Sequence, residues 1–370
     1  MIREKVEGSA PVKQSALSNI DFSSVQSAMT VTELQLARVA EERSLIEVID
    51  SVTNESWNIA VNRLQDLVIS QAIQICEQSM AEAGMGESPV PFAFVLFGSG
   101  GRGEATLWSD QDNGIIYADH GGEEATSYFT AFGSKIAEML EQIGYPPCEG
   151  KVMASNEKWQ QSLSGWSRMI ESWRENLSWE AVRYLTIVAD MRYVAGDKPV
   201  ALQARERMMQ QISQEVELEK ALIGNTMRHK AALNVLGQVI TERFGDYAGG
   251  FDVKYALYVP LVNGIRCLSL IHGITETSTM NRIDRLSVLE IFPQPWTAKL
   301  RSAFLSALRF RAMASSYAVD QGEREMASFL RQEEMKDKDV RKELRESLIT
   351  VKQLYRMLQK QQRHAGRRRI

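Results

Sequence analysis

The chain has 370 residues, of which 44% are hydrophobic and 24% are charged, a composition typical of a soluble protein with two or three domains. The net charge of −4 gives no general attraction for nucleic acid, which we do not expect as a partner. The sequence has no apolar run of membrane-spanning length, no signal-peptide core and only three widely spaced cysteines. We therefore expect a cytoplasmic protein without disulfides that contacts no membrane.

The first part of the chain is predicted to be helical after a flexible lead-in. Residues 1–30 are rich in Ser and Gln, and they show little periodicity. Apolar residues then recur at helical spacing over residues 32–83, with an N-cap near Thr53 between two runs. Residues 31–88 are accordingly predicted to form a helical hairpin or a small bundle.

Residues 89–200 are predicted to form a mixed α/β core that contains an acidic pair. The apolar run 91–97 predicts a buried strand, and a second run, 114–117, predicts its neighbour. Asp110 and Asp112 come just before the second run, and residues i and i+2 of a strand point to the same face. Their carboxylates would repel each other, and a magnesium or manganese ion would relieve that repulsion.

The glycine-rich turn between the two strands supplies the other half of a nucleotide-binding site. Glycines such as Gly98 and Gly100 let the backbone approach a phosphate, and successive N–H groups in such a turn bind anions. Ser99 adds a hydroxyl donor, and Arg102 can pair with phosphate oxygens. Glu104 belongs to the same predicted nucleotide-binding set, although it is better suited to orient Arg102.

Two other interpretations of this segment compete with a nucleotide site. The turn is not a P-loop, because no Lys-Ser/Thr pair closes the glycine run. A glycine-rich hairpin loop with a solvated Asp-x-Asp turn is the structural alternative. The full order of strand, Gly-Ser, Arg-Gly-Glu, Ser-Asp-x-Asp and strand favours a nucleotide and metal site.

Shorter patterns describe the rest of the core. A helix is predicted over residues 123–143, and residues 149–154 are predicted to form a third short strand. Four tryptophans follow, of which the first three are seven residues apart and would share one helix face: Trp159, Trp166, Trp173 and Trp179. Such residues can stack on a nucleobase, but packing between helices is the favoured interpretation.

Residues 201–350 are predicted to form a helical substrate-binding domain, and residues 351–370 the end of a terminal helix with a basic tail. The terminal helix has an apolar stripe at Leu344, Leu348, Val351, Leu354 and Leu358. The predicted fold is therefore α+β, with a small mixed-sheet core flanked by N-terminal and C-terminal helical domains. The helical regions would also provide the surface for a homodimer.

The segment from Gly98 to Asn113 resembles the DNA polymerase beta-like nucleotidyltransferase superfamily, which combines a Gly-Ser turn with an Asp-x-Asp strand. Its Gly-Arg-Gly-Glu and Ser-Asp-Gln-Asp-Asn sequences are similar to those of the uridylyltransferase that modifies the PII nitrogen-signalling protein. They are closer still to a bacterial group of nucleotidyltransferases of unknown function, often fused to CBS or cyclic-nucleotide-binding domains. The similarity continues, with less specific motifs, in residues 144–154, 156–159, 190–197 and 251–254.

The resemblance implies a reaction at the nucleotide α-phosphate with two metals, which usually need a third carboxylate. Asp190 is the candidate for this catalytic and metal-binding role, because the acidic-x-Arg segment that it forms with Arg192 is similar to one in PII uridylyltransferases. An ion pair of Asp190 with Arg192 or Arg183 is the structural alternative, and Glu149 is the second candidate. Lys254 would counter the triphosphate charge, or form an interdomain salt bridge.

The leading functional hypothesis is a metal-dependent nucleotidyltransferase. It would move a nucleoside monophosphate from a nucleoside triphosphate to a hydroxyl of a protein or small molecule, and the resemblance implies uridylylation or adenylylation of a PII-like protein. A regulatory module that binds nucleotide and metal without turnover is the second hypothesis. A helical scaffold with a relic fold is disfavoured, because the acidic pair, Ser99 and Arg102 are all present.

Overall fold

The structure, a computed structural model, describes residues 17, 20–212, 216–228, 239–245 and 247–367. It is α+β, with a small mixed sheet flanked by helices, and this confirms the predicted fold class. The sheet has four strands, in the order β3-β2-β1-β4: β1 (Phe92–Leu96), β2 (Asn113–Tyr117), β3 (Gln160–Ser162) and β4 (Arg192–Gly196). β1 pairs antiparallel with β2 and β4, and β2 pairs parallel with β3.

Helices make up most of the described chain. In chain order they are α1 (Ser23–Gln26), α2 (Val31–Glu47), α3 (Asn54–Met80), α4 (Gly98–Arg102), α5 (Gly122–Ile143), α6 (Leu163–Glu175), α7 (Trp179–Val188), α8 (Lys198–Gln211), α9 (Val216–Thr226), α10 (Val259–Ile271), α11 (Thr279–Val288), α12 (Gln294–Gln321), α13 (Gln332–Lys336) and α14 (Lys338–Arg367). A second, two-stranded sheet joins β5 (Phe251–Asp252) to β6 (Phe329–Leu330). No helix of the described residues is both long and apolar enough to cross a membrane.

β1 has apolar side chains on both faces because both faces of the sheet are covered. Ala93 and Val95 belong to one hydrophobic cluster, which includes the C-terminal helices. Phe92, Phe94 and Leu96 belong to a second cluster, which includes the N-terminal helices and α5. The core sheet therefore lies between two layers of helices, and an uninterrupted apolar strand is the expected sequence for that position.

The N-terminal helices begin where their capping residues predict. Thr30 and Glu33 form a capping box at the start of α2, and the Thr53 hydroxyl accepts a hydrogen bond from the Ser56 N–H (3.2 Å) at the start of α3. The end of the predicted flexible lead-in is packed, because Phe22 and other apolar residues there are buried against these helices. Residues 1–16, 18 and 19 of the lead-in lie outside the described residues.

The C-terminal region buries its longest apolar stripe. All five stripe positions predicted on the terminal helix, now α14, are 0% exposed: Leu344, Leu348, Val351, Leu354 and Leu358. This confirms the helical interpretation of the stripe, since a single face of a helix is covered by neighbouring helices. Residues 368–370 of the predicted basic tail lie outside the described residues.

The predicted third strand is wrong. Lys151 has a φ of 53°, which interrupts any extended run through residues 149–154. The segment forms turns, and it joins β2 through single contacts: the Asn113 N–H donates to the Val152 carbonyl (3.1 Å), and the Ala154 N–H donates to Asn113 Oδ1 (2.8 Å). The third and fourth strands are instead β3 and β4.

The tryptophan series does not share one helix. Trp159 ends a short 3₁₀ turn before β3, whereas Trp166 and Trp173 lie on α6. Trp159 and Trp166 nevertheless pack on Phe97, with ring centroids 5.2 Å and 6.1 Å away, which confirms the packing interpretation for these two residues. Trp179 differs from them, because 51% of it is exposed.

Candidate functional site

The chain leaves β1 through Phe97 and enters α4, whose sequence is Gly-Ser-Gly-Gly-Arg. Two of its glycines are required by the local geometry. Gly98 has a φ of 52°, in the left-handed region that favours glycine. At Gly101, a Cβ atom would lie 2.1 Å from the carbonyl oxygen of Asp190 and 2.7 Å from that of Leu96. The turn therefore packs backbone to backbone against the segment that precedes β4.

Gly98 also brings the turn against the acidic pair of Asp110 and Asp112. A Cβ atom at Gly98 would lie 2.4 Å from Asp112 Oδ2, and the Phe97 N–H donates to the Asp112 carbonyl oxygen (2.9 Å). The pair lies just before β2, which begins at Asn113, so the alternation of a strand does not set the directions of its two side chains. The glycine turn and the acidic pair are thus neighbours in space.

The two carboxylates of the acidic pair have different surroundings. The Asp110 side chain is 40% exposed, and its Oδ2 lies 3.7 Å from Lys254 Nζ. Asp112 Oδ1 accepts a hydrogen bond from Cys148 Sγ (3.2 Å). Burial raises the pKa of Asp112 to about 6; the hydrogen bond from Cys148 opposes this shift, and the charge of Asp110 adds to it. A carboxylate that is costly to ionise beside another carboxylate would be stabilised by a cation.

The atoms at the acidic pair fit a hard divalent cation. Both carboxylates offer oxygen, which magnesium and manganese prefer. Burial raises the pKa of the neighbouring Cys148 thiol to about 11, and sulfur is a soft ligand that magnesium and manganese do not favour. Within the described part of the chain, no group of three or more His, Cys, Asp or Glu side chains could hold a metal ion. The remaining ligands of a cation would be phosphate oxygens and water.

Asp190 is not available as the predicted third metal ligand. It is 0% exposed, and its carboxylate accepts hydrogen bonds from Arg102, Arg266 and Arg282, the last at 2.7 Å. Burial alone would raise the pKa of Asp190, but the three guanidinium groups outweigh it and lower the pKa to about 2. Asp190 therefore joins the core to α10 and α11. The second candidate, Glu149, is an exposed turn residue and completes no metal site with the acidic pair.

Arg102 and Glu104 are also buried, which corrects their predicted contact with nucleotide. Arg102 is 6% exposed, and it donates to Glu104 Oε2 (2.8 Å) and to the Tyr258 hydroxyl (2.8 Å) as well as to Asp190. Glu104 is 3% exposed, and its Oε1 accepts from the Thr279 N–H (2.7 Å). Glu104 orients Arg102, as the alternative interpretation held, and together they support the turn from inside the protein.

Ser99 and Gly100 remain at the candidate site. Both line a small cavity of about 30 Å³ together with the acidic pair. The Gly100 carbonyl oxygen accepts two hydrogen bonds from Arg192 (2.8 and 3.1 Å), whose guanidinium also holds Asp66 of α3 at 2.7 Å. Arg192 therefore pairs with Asp66 rather than with Asp190, and it ties the turn to the N-terminal helices.

A cleft of about 400 Å³ opens beside Asp112, between the glycine turn and the helices α7, α9 and α10. Gly98, Asp112 and Cys148 line its core side. Its other side comes from α7, α10 and the end of α9, and includes three arginines: Arg183, Arg228 and Arg266. Sequence patterns did not identify these arginines as site residues, because each lies in a different segment and none belongs to a motif.

Two family models match the chain, one in its N-terminal half and one in its C-terminal half. Residues 47–180 match a family model described as "Putative nucleotidyltransferase DUF294", and residues 217–362 match one described as "Putative nucleotidyltransferase substrate binding domain". Together these matches cover about three quarters of the chain. No curated protein gives a significant match. These matches support a nucleotidyltransferase family in which a core domain is followed by a substrate-binding domain.

Proposed function

We propose that this protein is a metal-dependent nucleotidyltransferase that moves a nucleoside monophosphate from a nucleoside triphosphate to a hydroxyl acceptor. The observation that supports it best is the contact between Gly98 and Asp112. A Cβ atom at Gly98 would lie 2.4 Å from the Asp112 carboxylate, so only glycine lets the turn approach this carboxylate. Phosphates held by the turn and a cation held by the acidic pair would then occupy one site.

The chain's own residues have distinct tasks in this proposal. Asp110 and Asp112 hold the cation, and the turn 98–100 lets the phosphates approach its backbone and the Ser99 hydroxyl. Lys254, 3.7 Å from Asp110, adds positive charge at the open side of the pair. A bound magnesium or manganese ion supplies charge that neutralises the phosphate oxygens. The acceptor oxygen bonds to the α-phosphorus as the bond to pyrophosphate breaks; pyrophosphate leaves, and the acceptor's proton is released to water.

Sequence similarity supports a proposal for the nucleotide donor and for the acceptor. The Gly-Arg-Gly-Glu and Ser-Asp-Gln-Asp-Asn segments resemble those of PII uridylyltransferases, which favours UTP or ATP as donor and a PII-like regulatory protein as acceptor. A small molecule with a hydroxyl is the alternative acceptor. The match of residues 217–362 to a substrate-binding domain supports the C-terminal helices as the part that recognises substrate.

The position of Asp190 favours a second function, nucleotide sensing without transfer. Its carboxylate is held by three guanidinium groups, so the acidic pair has no third carboxylate beside it among the described residues. Two carboxylates are enough to bind a cation together with nucleotide phosphates. A regulatory module would need no more than this.

Incubation with labelled ATP, CTP, GTP and UTP, with magnesium or manganese and a cell extract, separates the two functions. We expect the wild-type protein to transfer label to an extract component, and Asp112→Asn to lose this transfer. A purified PII-like protein in place of the extract tests the named acceptor. Nucleotide binding without transfer to any acceptor would reject the transferase and leave the sensor.

A further inference from the structure

The face of α7 that lines the 400 Å³ cleft combines an aromatic ring with a basic group. The cleft has a volume within the usual range of small-molecule sites, about 300–1,000 Å³. The lining residues of α7 are spaced so that they share one helix face: Trp179, Arg183, Thr186 and Ile187. An aromatic ring and a cation on one face can contact two chemically different parts of a single ligand.

This face of α7 leads outward from the glycine turn. Ile187 lies near the end of α7, close in sequence to Asp190, whose carbonyl oxygen packs against Gly101 of the turn. Trp179 is the first residue of α7, eight residues before Ile187. That separation corresponds to about 12 Å along a helix. Trp179 therefore lies at the end of the cleft away from the turn, and Arg183 lies between the two.

Arg183 brings positive charge into the part of the cleft that Cys148 lines. A Cβ atom at Gly150 would lie 2.4 Å from Arg183 Nη2 and 3.6 Å from Cys148 Sγ, so Arg183 is close to the thiol that contacts Asp112. Arg266, from α10, lines the same cleft and is 12% exposed. Its Nε is buried and has no hydrogen-bond partner among the described residues. Because Arg266 already pairs with Asp190, Arg183 is the arginine of this part of the cleft that suits the charges of a triphosphate.

Trp179 offers a stacking surface that the other core tryptophans lack. It is 51% exposed, whereas Trp159 and Trp166 are buried. The Arg228 guanidinium lies 5.2 Å from its ring centroid, and the Asn225 side chain donates to its carbonyl oxygen (3.4 Å). An exposed indole in a cleft is suited to stack on a nucleobase, and an amide beside it can contact a base edge.

We propose that a nucleoside triphosphate binds along this cleft, with its base stacked on Trp179 and its phosphates directed past Arg183 to the acidic pair. This assignment rests on the proposed function and adds the residues that recognise the nucleotide. Trp179 contributes affinity for the nucleoside part alone. Arg183 contributes affinity for the phosphates, whichever base is attached.

Calorimetric binding of each nucleoside triphosphate and of inorganic tripolyphosphate to the full-length protein tests both halves of this assignment. Trp179→Leu should weaken nucleotide binding about tenfold, the scale of one lost base stack, and leave tripolyphosphate binding within about twofold. Arg183→Gln should weaken the binding of both nucleotide and tripolyphosphate about tenfold, because a charge-assisted hydrogen bond to phosphate is lost. Trp179→Phe keeps an aromatic ring, so its nucleotide affinity should stay within about threefold of that of wild type.

Matched controls come from a separate cavity of about 590 Å³, which Phe292, Trp296 and Arg356 line. Trp296→Leu and Arg356→Gln should bind nucleotide and tripolyphosphate with the affinity of wild type. Thermal unfolding of each variant identifies any loss of binding that comes from loss of structure. If Trp179→Leu is unstable, Trp179→Gln replaces it, because it also removes the ring from this half-exposed position.

The outcomes separate this assignment from the proposed function. Normal nucleotide binding by Trp179→Leu, or an equal loss of both ligands, would overturn the stacking role. If wild type transfers label but the two cleft variants bind normally, the cleft assignment fails and the transferase stands. If the variants behave as expected but wild type never transfers label, the cleft assignment stands and the transferase fails. A wild-type protein that binds no nucleoside triphosphate rejects both.

Discussion

The acidic pair and Asp190 are carboxylate sites on either side of the glycine turn, and they differ in how much positive charge surrounds them. Asp190 is fully buried among three guanidinium groups, and its pKa is lowered to about 2. The acidic pair has one lysine at 3.7 Å, and burial raises the pKa of Asp112 to about 6. The protein surrounds Asp190 with more positive charge than this carboxylate carries negative charge. It leaves most of the negative charge of the acidic pair uncompensated.

This difference assigns the two sites different tasks. A carboxylate whose oxygens are already hydrogen-bonded to arginines has no free position for a metal, and its loss would leave several buried cations unpaired. A pair of neighbouring carboxylates with little compensation is suited to bind a cation that arrives with the substrate. The predictions below test this division, from the largest expected effect on stability to the smallest.

The largest effect is expected for Asp190→Asn. Neutralising this carboxylate leaves Arg102, Arg266 and Arg282 without their shared anion, and breaking a buried pair of this kind typically costs about 3–5 kcal/mol. Asp110→Asn is the matched control. It removes a half-exposed carboxylate beside another carboxylate, so its free energy of unfolding should change by less than about 1 kcal/mol. Chemical denaturation of both variants measures the difference. A stable Asp190→Asn that loses only transfer would restore Asp190 as a metal ligand.

The second effect is a dependence of stability on acid pH. The pKa of Asp190 is lowered on folding, so its stabilisation is complete above its unfolded pKa, about 3.9, and is lost as the pH falls towards the folded value, about 2. The stability difference between wild type and Asp190→Asn should therefore shrink by about 2 kcal/mol from pH 5 to pH 2, and the remainder of this contribution should vanish below pH 2. Denaturation of both proteins across this range gives the measurement. A constant difference would show that the charge of Asp190 is not what stabilises the fold.

Gly98→Ala and Gly103→Ala distinguish the strain of a positive φ from a steric clash between the new Cβ atom and Asp112. Both glycines have positive φ, 52° and 67°, so each alanine should cost about 1–2 kcal/mol of stability. Only the Cβ atom at position 98 would meet Asp112, because nothing lies within 4 Å at position 103. Gly98→Ala should therefore also weaken metal-dependent nucleotide binding at least about tenfold, while Gly103→Ala should not. Calorimetry with nucleotide and magnesium compares them, and equal binding by the two variants would contradict the contact.

Lys254→Gln is expected to have the smallest effect on stability. Its ion pair with Asp110 is 3.7 Å long and partly exposed, so its loss should change the free energy of unfolding by less than about 0.5 kcal/mol. Nucleotide affinity should fall about fivefold, since a positive charge at the open side of the acidic pair is lost. Lys299→Gln, on another surface of the C-terminal helices, serves as the control. A destabilised Lys254→Gln with normal affinity would make this lysine a structural residue.

The features that sequence predicted well are those encoded in short segments. The apolar runs of β1 and β2, the N-cap at Thr53 and the stripe on α14 depend on residues a few positions apart, and the structure has all of them. The glycine turn and the acidic pair were likewise recognised from one short ordered motif, and Gly98 does contact Asp112.

The features that sequence predicted poorly depend on distant partners. Asp190 is hydrogen-bonded to Arg266, 76 residues away, and Arg102 is hydrogen-bonded to Tyr258, 156 residues away. No local sequence pattern indicates such pairings. The short strand β4 and the grouping of the cleft arginines could not be predicted for the same reason, because both depend on contacts between segments that are far apart in the sequence. The same reason applies to Asp190: its own segment offered only Arg183 and Arg192 as partners, whereas distant arginines hold its carboxylate in the fold.

Calorimetry of nucleotide and magnesium binding to the double variant Asp110→Asn, Asp112→Asn tests the central claim most directly. Removing both charges should cost little stability, because it relieves repulsion between neighbouring carboxylates. It should weaken metal-dependent nucleotide binding by about a hundredfold or more, as expected when both protein ligands of the cation are lost. If the double variant instead stays folded and binds nucleotide and magnesium as wild type does, the acidic pair is not the metal site and the account is wrong.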